Sequence, residues 1–149
     1  MGILSPKWDR ALVGALVAGP LFWVFLFLIG GSAPHLAWPL QAPVRFLLPA
    51  LAFPLLEEFV FRGGVQQLLR DLLGSRGLGP VTAANVLTSV LFAGLHFLNH
   101  PPLWAALTFF PSLVFGYFMD RDQRLRLPML LHVFYNFGYY WLFGPPPGR

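Results

Sequence analysis

Long apolar runs alternate with short polar or Pro- and Gly-rich segments along the chain. Five such runs predict helices at residues 11–31, 44–56, 81–98, 103–119 and 128–143. The first run is uncharged, and it is long enough to cross about 30 Å of hydrocarbon at about 1.5 Å per residue. We therefore predict an all-α fold, a polytopic transmembrane helical bundle of about five spanning helices, built as a single domain over residues 1–149.

Proline and glycine predict where these helices are distorted or end. Pro49 and Pro54 lie within the second run, and each removes an N–H donor from the helix, so a kink is expected there. Pro111 is expected to break the fourth run. The Gly-rich segment 74–80 predicts a turn, and the charged segment 120–126 predicts a connecting loop.

Polar residues within the predicted helices fall at helical spacing. Asn85, Ser89 and His96 lie close to one helical face, and we expect that face to point into the bundle. The segment 61–73 also keeps helical spacing, with leucines on one side and Gln66 and its polar neighbours on the other.

The composition supports membrane insertion and argues against two classes of protein. Hydrophobic residues make up 56% of the chain and charged residues only 11%, and the 16 Phe and 5 Trp suit contact with lipid. The chain has no cysteine, which excludes a cysteine-protease mechanism. The net charge of +4 comes from basic residues scattered at helix ends rather than clustered on one face, so no nucleic-acid partner is expected.

The Lys and Arg residues are distributed unevenly between the two sides of the predicted bundle. With a cytoplasmic N-terminus, the inner side would carry Lys7, Arg10, Arg62, Arg70, Arg76, Arg121, Arg124 and Arg126, and the outer side Arg45 and Arg149. Because cytoplasmic segments are enriched in basic residues, the N-terminus is predicted inside and the C-terminus outside. We accordingly predict a multi-pass protein of a prokaryotic plasma (inner) membrane.

Candidate chemistry begins with an acidic motif at the end of the second apolar run. Glu57, Glu58 and Arg62 stand where each charged group costs roughly 2.5 to 3.5 kcal/mol to insert, so a functional role is expected. Glu58 and Arg62 are four residues apart and can pair on one helical face. Glu57 diverges from Glu58 by about 100° on a helix. The spacing therefore predicts a structural Glu58–Arg62 pair and leaves Glu57 available for catalysis.

Two further pairs at helical spacing complete the set of candidate site residues. Phe92 precedes His96 by one helical turn, and His132 precedes Asn136 by one turn. A carboxylate such as Glu57 can act as a general base toward water, and His96 can share or orient that water. His132 and Asn136 can offer N–H donors to a developing oxyanion. Together these groups predict a hydrolase that acts on an amide bond.

In order along the chain, these motifs read E-E-x-x-x-R at 57–62, F-x-x-x-H at 92–96 and H-x-x-x-N at 132–136. The chain over roughly residues 50–140 resembles the CAAX protease and bacteriocin-processing family of intramembrane glutamic endopeptidases. The chain departs from that family in length, because members commonly have about eight spans and about five are predicted here.

The resemblance assigns a role to each candidate residue. It implies that Glu57 activates water together with His96 and that His132 and Asn136 hold the oxyanion, while Glu58 and Arg62 support the site. The resemblance also implies a reaction without a metal, without another cofactor and without a covalent intermediate. The implied substrate is a membrane-associated protein or peptide in the lipid bilayer.

Three alternatives remain open from the residues alone. A zinc-dependent membrane metalloprotease could use His96, His132 and Glu57 as ligands and Glu58 as base, although no helix carries an H-E-x-x-H pair. A non-enzymatic membrane binding or immunity protein would keep its function after Glu57→Gln. A transporter is the weakest alternative, because the chain has no repeated halves.

Overall fold

The computed structural model describes residues 9–30 and 36–144, and this part of the chain consists of helices joined by turns, with one short hairpin. It divides into two compact units. One unit contains the described residues up to Phe53 together with those from Val133 onward, and the other is Pro54–His132.

The first unit begins with the longest helix and continues through short helical pieces. These are α1 (Arg10–Gly30), α2 (Trp38–Gln41), α3 (Pro43–Leu47) and a π-helical segment (Leu48–Ala52). The interior is aromatic: Trp38 and Phe46 meet edge to face at 5.5 Å and pack with Ala50. The Trp38 indole N–H donates to the Tyr140 carbonyl at 2.9 Å. Most apolar side chains of α1 are exposed, as expected for a helix that faces lipid.

The second unit consists of helices joined by tight turns. Its elements are α4 (Phe53–Val60), a second π-helical segment (Phe61–Val65), α5 (Gln66–Leu73), β1 (Gly77–Leu78), β2 (Val81–Thr82), α6 (Ala83–His96), α7 (Pro102–Leu107), α8 (Phe109–Asp122) and the start of α9 (Arg126–Phe143). The two strands pair antiparallel within the Gly-rich segment predicted as a turn, with Gly77 opposite Thr82. The Thr82 hydroxyl accepts from the Asn85 N–H and so caps α6.

Two helical stretches among the described residues are long and apolar enough to cross a membrane, judged by length and composition: Arg10–Ile29 and Pro102–Asp122. The prediction of an all-α fold is confirmed, but a count of five spans is not shown. The predicted third span, 81–98, is shorter in the structure, because α6 has 14 residues. Its first positions form the hairpin, and the chain turns after His96.

The structure also refines the predicted breaks. The second run contains the π-helical segment at Leu48–Ala52, where a kink was expected from proline. The fourth run breaks at Thr108 rather than at Pro111, because Pro111 offers no N–H to the Leu107 carbonyl and fits instead in the first turn of α8. The loop predicted at 120–126 is wrong in extent, since α8 continues to Asp122 and α9 begins at Arg126.

Candidate active site

The acidic motif places two neighbouring carboxylates in different environments. The side chains of Glu58 and Arg62 are fully buried, and Arg62 Nε lies 3.3 Å from Glu58 Oε2. Glu57 projects from a different face of α4 than Glu58 does, and 33% of its side chain is exposed. The predicted Glu58–Arg62 pair is therefore present, and Glu57 is the carboxylate that solvent can reach.

His132, in the second turn of α9, lies between these two carboxylates. Its Nδ1 is 2.8 Å from Glu58 Oε1, and its Nε2 is 3.6 Å from Glu57 Oε2. A carboxylate paired with a guanidinium accepts hydrogen bonds and does not donate them, so the proton on His132 is placed on Nδ1. In the neutral form of the ring, Nε2 then carries no proton and faces Glu57.

Two phenylalanines pack around the charged groups. The Phe115 ring stacks on His132 at 4.7 Å, and Phe92 meets His132 edge to face at 5.8 Å. The Arg62 guanidinium lies 5.2 Å from the Phe92 ring centre and 5.7 Å from that of Phe115. These cation–π contacts partly replace the water that the buried arginine has lost.

His96, at the end of α6, is held by its own helix. Its Nδ1 is 2.8 Å from the Phe92 carbonyl oxygen, which can only accept, so Nδ1 carries the proton and Nε2 is an acceptor. The His96 ring lies 4.5 Å from that of Phe92, which also contacts His132. In the described part of the chain, no hydrogen bond or ion pair joins His96 to Glu57. The ionisable neighbour of Glu57 on α9 is instead His132, whose Nε2 lies 3.6 Å from Glu57 Oε2.

Asn136 belongs to the other unit, where its amide donates to the Pro49 carbonyl at 3.1 Å. The Pro49 carbonyl is free to accept this hydrogen bond because it has no backbone partner within the π-helical segment. There the Phe53 N–H bonds to the Leu48 carbonyl five residues earlier. The Pro49 carbonyl would take the N–H of residue 54 in the same pattern, but Pro54 has none. One hydrogen of the Asn136 amide is therefore used in a structural hydrogen bond.

A set of buried polar residues that the motifs did not predict lies behind the acidic motif. Arg62 Nη2 donates to the Ser112 carbonyl, and the Gln66 amide donates to the Gly116 carbonyl and to Asp120. A sequence pattern that could have indicated them is the spacing of four between Ser112, Gly116 and Asp120, which places these residues on one face of α8. It was hidden because Asp120 was assigned to a loop.

No group of three or more His, Asp or Glu side chains within residues 9–30 and 36–144 is arranged to hold a metal ion. The geometry therefore adds nothing in favour of the zinc alternative. What the site does offer is an exposed carboxylate beside a histidine whose other nitrogen is fixed by a buried ion pair.

Comparison with known proteins identifies the family. The model of the family described as type II CAAX prenyl endopeptidase Rce1-like matches residues 39–138, a range that contains all three motifs. No solved structure matches the chain. The match covers more than half of the chain, and it implies a CAAX-type intramembrane protease. The chain belongs to the Rce1-like type II CAAX prenyl endopeptidase family.

Proposed function

We propose that the protein is an intramembrane, metal-independent glutamic endopeptidase that hydrolyses a peptide bond of a membrane-associated protein or peptide. The observation that carries the proposal is the position of His132 between a fully buried Glu58 and a partly exposed Glu57. The buried carboxylate is committed to Arg62. The exposed one has access to water and is the candidate base.

In the proposed reaction, Glu57 takes a proton from water while the water oxygen attacks the carbonyl carbon of the scissile bond. The unprotonated Nε2 of His96 is a second acceptor that can orient this water. No covalent bond to the protein forms in this step. The chain also has no cysteine to form a thioester.

His132 can donate to the resulting oxyanion only after its Nε2 has gained a proton. The separation of 3.6 Å between this nitrogen and Glu57 Oε2 favours transfer of the water-derived proton from Glu57 to His132. The protonated Nε2 then donates to the oxyanion, with Asn136 as the second donor by family resemblance. As the C–N bond breaks, the same proton passes to the leaving nitrogen, which completes the hydrolysis.

The membrane setting belongs to the same proposal. Two helical stretches suit membrane insertion, and the other apolar runs of the chain would complete a bundle of about five spans. The distribution of basic residues supports a cytoplasmic N-terminus. The substrate would then meet Glu57 within or beside the bilayer.

The test compares the termini of membrane proteins in host cells that carry the native chain, Glu57→Gln or Asp71→Asn at equal folded expression. Asp71 is an exposed carboxylate of the same unit, so its substitution controls for the loss of one negative charge. New termini are expected with the native chain and with Asp71→Asn. With Glu57→Gln they should decrease by about 100-fold or more, because general-base catalysis contributes factors of this size.

Two outcomes would overturn the proposal. Unchanged new termini with Glu57→Gln would remove Glu57 from catalysis. Absence of new termini with every variant, together with a retained protective or binding phenotype, would identify a non-enzymatic protein. Chelator treatment of the purified protein tests the zinc alternative: we expect full activity, whereas a loss that zinc restores would indicate a metalloprotease.

A further inference from the structure

A path of hydrogen bonds, with one ion pair between Glu58 and Arg62, leads away from His132 into the interior of its unit. From Glu58 and Arg62 it continues to residues that no motif contains. We propose that Ser112, Ser89 and Asn85 are positioning residues that hold His132 in its Nδ1-protonated form through Arg62 and Glu58. This inference rests on the proposed function, because the geometry of His132 matters for catalysis only if His132 serves the reaction.

The first step of the path joins Arg62 to α8. Arg62 Nη2 donates to the Ser112 carbonyl oxygen and to Ser112 Oγ, each at 2.7 Å. Both residues are fully buried. Because a guanidinium is planar and rigid, fixing one of its nitrogens also restricts the direction of Nε toward Glu58.

The second step sets the direction of the hydroxyl groups. Ser112 Oγ donates to Ser89 Oγ at 2.9 Å, and Ser89 Oγ donates to Asn85 Oδ1 at 3.2 Å. Each hydroxyl has only one proton, and both protons point away from Arg62. Ser112 Oγ therefore accepts from Arg62 while its own proton is held by Ser89.

The third step anchors the far end of the path. The Asn85 amide donates to the Leu113 carbonyl at 3.0 Å, which leaves its oxygen for Ser89. Gly116 allows this contact, because a Cβ at that position would overlap Asn85 Oδ1. The close approach of α6 and α8 at Gly116 therefore determines how the Asn85 side chain is oriented.

The last step returns to His132. Arg62 Nε lies 3.3 Å from Glu58 Oε2, and the other oxygen of Glu58 lies 2.8 Å from His132 Nδ1. A guanidinium free to rotate would allow the carboxylate to turn, and His132 could then place its proton on either nitrogen. The hydroxyls on α6 and α8 thus act on a histidine that they do not touch.

Nitrogen NMR of the imidazole rings tests this role without substrate. The chain has only 4 His, so the protein can be labelled with [¹⁵N]histidine in lipid nanodiscs and the His132 signals assigned with His132→Gln. The native protein should show His132 protonated at Nδ1. With Ser112→Ala the two nitrogen shifts should move toward the average of the two tautomers. The rate of appearance of native-specific termini should fall about tenfold, the lower end of the losses that follow removal of the outer hydrogen-bond partners of metal-binding histidines.

Thr88→Val provides the matched control. Thr88 neighbours Ser89 and is equally buried, but its hydroxyl has no hydrogen-bond partner among the described residues. This variant should keep the native His132 shifts and the native rate. Ser112→Thr retains the hydroxyl and should restore both. Ser89→Ala leaves the Arg62 contacts in place and frees only the Ser112 proton, so it provides a milder variant if Ser112→Ala does not fold.

Native His132 shifts in both Ser112→Ala and Ser89→Ala would overturn the positioning role, as would equal shifts in Thr88→Val. The two proposals can fail separately. If Glu57→Gln leaves cleavage intact, the proposed function fails, whereas the shifts of His132 still decide whether these residues control its tautomer.

Discussion

The interiors of the two units differ in kind. Among the described residues, every buried polar side chain belongs to Pro54–His132, and these are Glu58, Arg62, Gln66, Asn85, Thr88, Ser89, Ser112 and His132. In the other unit, the large buried side chains are apolar, as in the cluster of Trp38, Phe46 and Ala50. One interior depends on hydrogen bonds and charge, the other on ring packing.

The difference shows which interior can fix the position and charge of catalytic side chains. Lipid is as apolar as a leucine side chain, so helices in a membrane associate through packing contacts and polar contacts rather than through hydrophobic burial. Ring packing tolerates small rotations of its members. A buried ion pair depends on both of its partners, since removal of one leaves the other charge unpaired. The unit with the polar interior is the one that holds Glu57 and His132.

The largest expected effect comes from breaking the ion pair. Arg62→Met should lower the free energy of unfolding by about 3–5 kcal/mol, because Glu58 would remain buried without its partner. Reversible unfolding in detergent, followed by circular dichroism, measures the loss. The exposed Arg124 serves as the control, and Arg124→Met should change stability by less than about 0.5 kcal/mol. A similar small change for Arg62→Met would show that the polar interior contributes little.

A smaller effect is expected from the aromatic interior. Trp38→Phe retains a ring but removes the N–H that donates to the Tyr140 carbonyl, so a loss of about 1 kcal/mol is expected. Cleavage per folded molecule should not change. Trp23→Phe is the matched control, because no hydrogen bond of the Trp23 indole is present in the described part of the chain. A larger fall in cleavage than in folded protein would contradict the contrast between the two interiors.

The smallest effect sharpens the role of Asn136. Pro54→Ala supplies an N–H for the Pro49 carbonyl, so Asn136→Ala should cost less in that background than in the native chain. A double-mutant cycle on unfolding free energies should give a coupling of about 0.5–1 kcal/mol. Additive effects would show that the Asn136 amide does not compensate for Pro54. Cleavage by Asn136→Ala in the Pro54→Ala background then reports any catalytic role separately.

The elements and motifs that depend on local spacing were predictable from the sequence. The Glu58–Arg62 pair follows from residues four apart on a helix, and α9 corresponds to the apolar run predicted at 128–143. The buried face of Asn85 and Ser89 was likewise predictable from their spacing.

The missed features depend on contacts between distant segments. Nothing in the sequence near His132 indicates that it meets Glu58, which is 74 residues away. Gln66 looked like the polar side of an amphipathic helix, yet it is fully buried while Leu68 and Leu72 are exposed. In a lipid environment the polar side of such a helix can face inward, so amphipathicity alone does not tell which side is buried.

The polar contacts between residues 62–70 and α8 keep a constant sequence separation. Arg62 contacts Ser112, Gln66 contacts Gly116 and Arg70 approaches Asp120, and each partner lies 50 residues further along the chain. The two segments therefore run in parallel and in register. An insertion in a connection between the two segments, such as the Gly-rich hairpin, would change this sequence separation but leave the contacts intact. One extra residue within α8 would instead rotate every later side chain by about 100° and bring Asp120 out of line with Gln66. Evolution of this chain can therefore lengthen its connections much more easily than it can shift either helix by a single position.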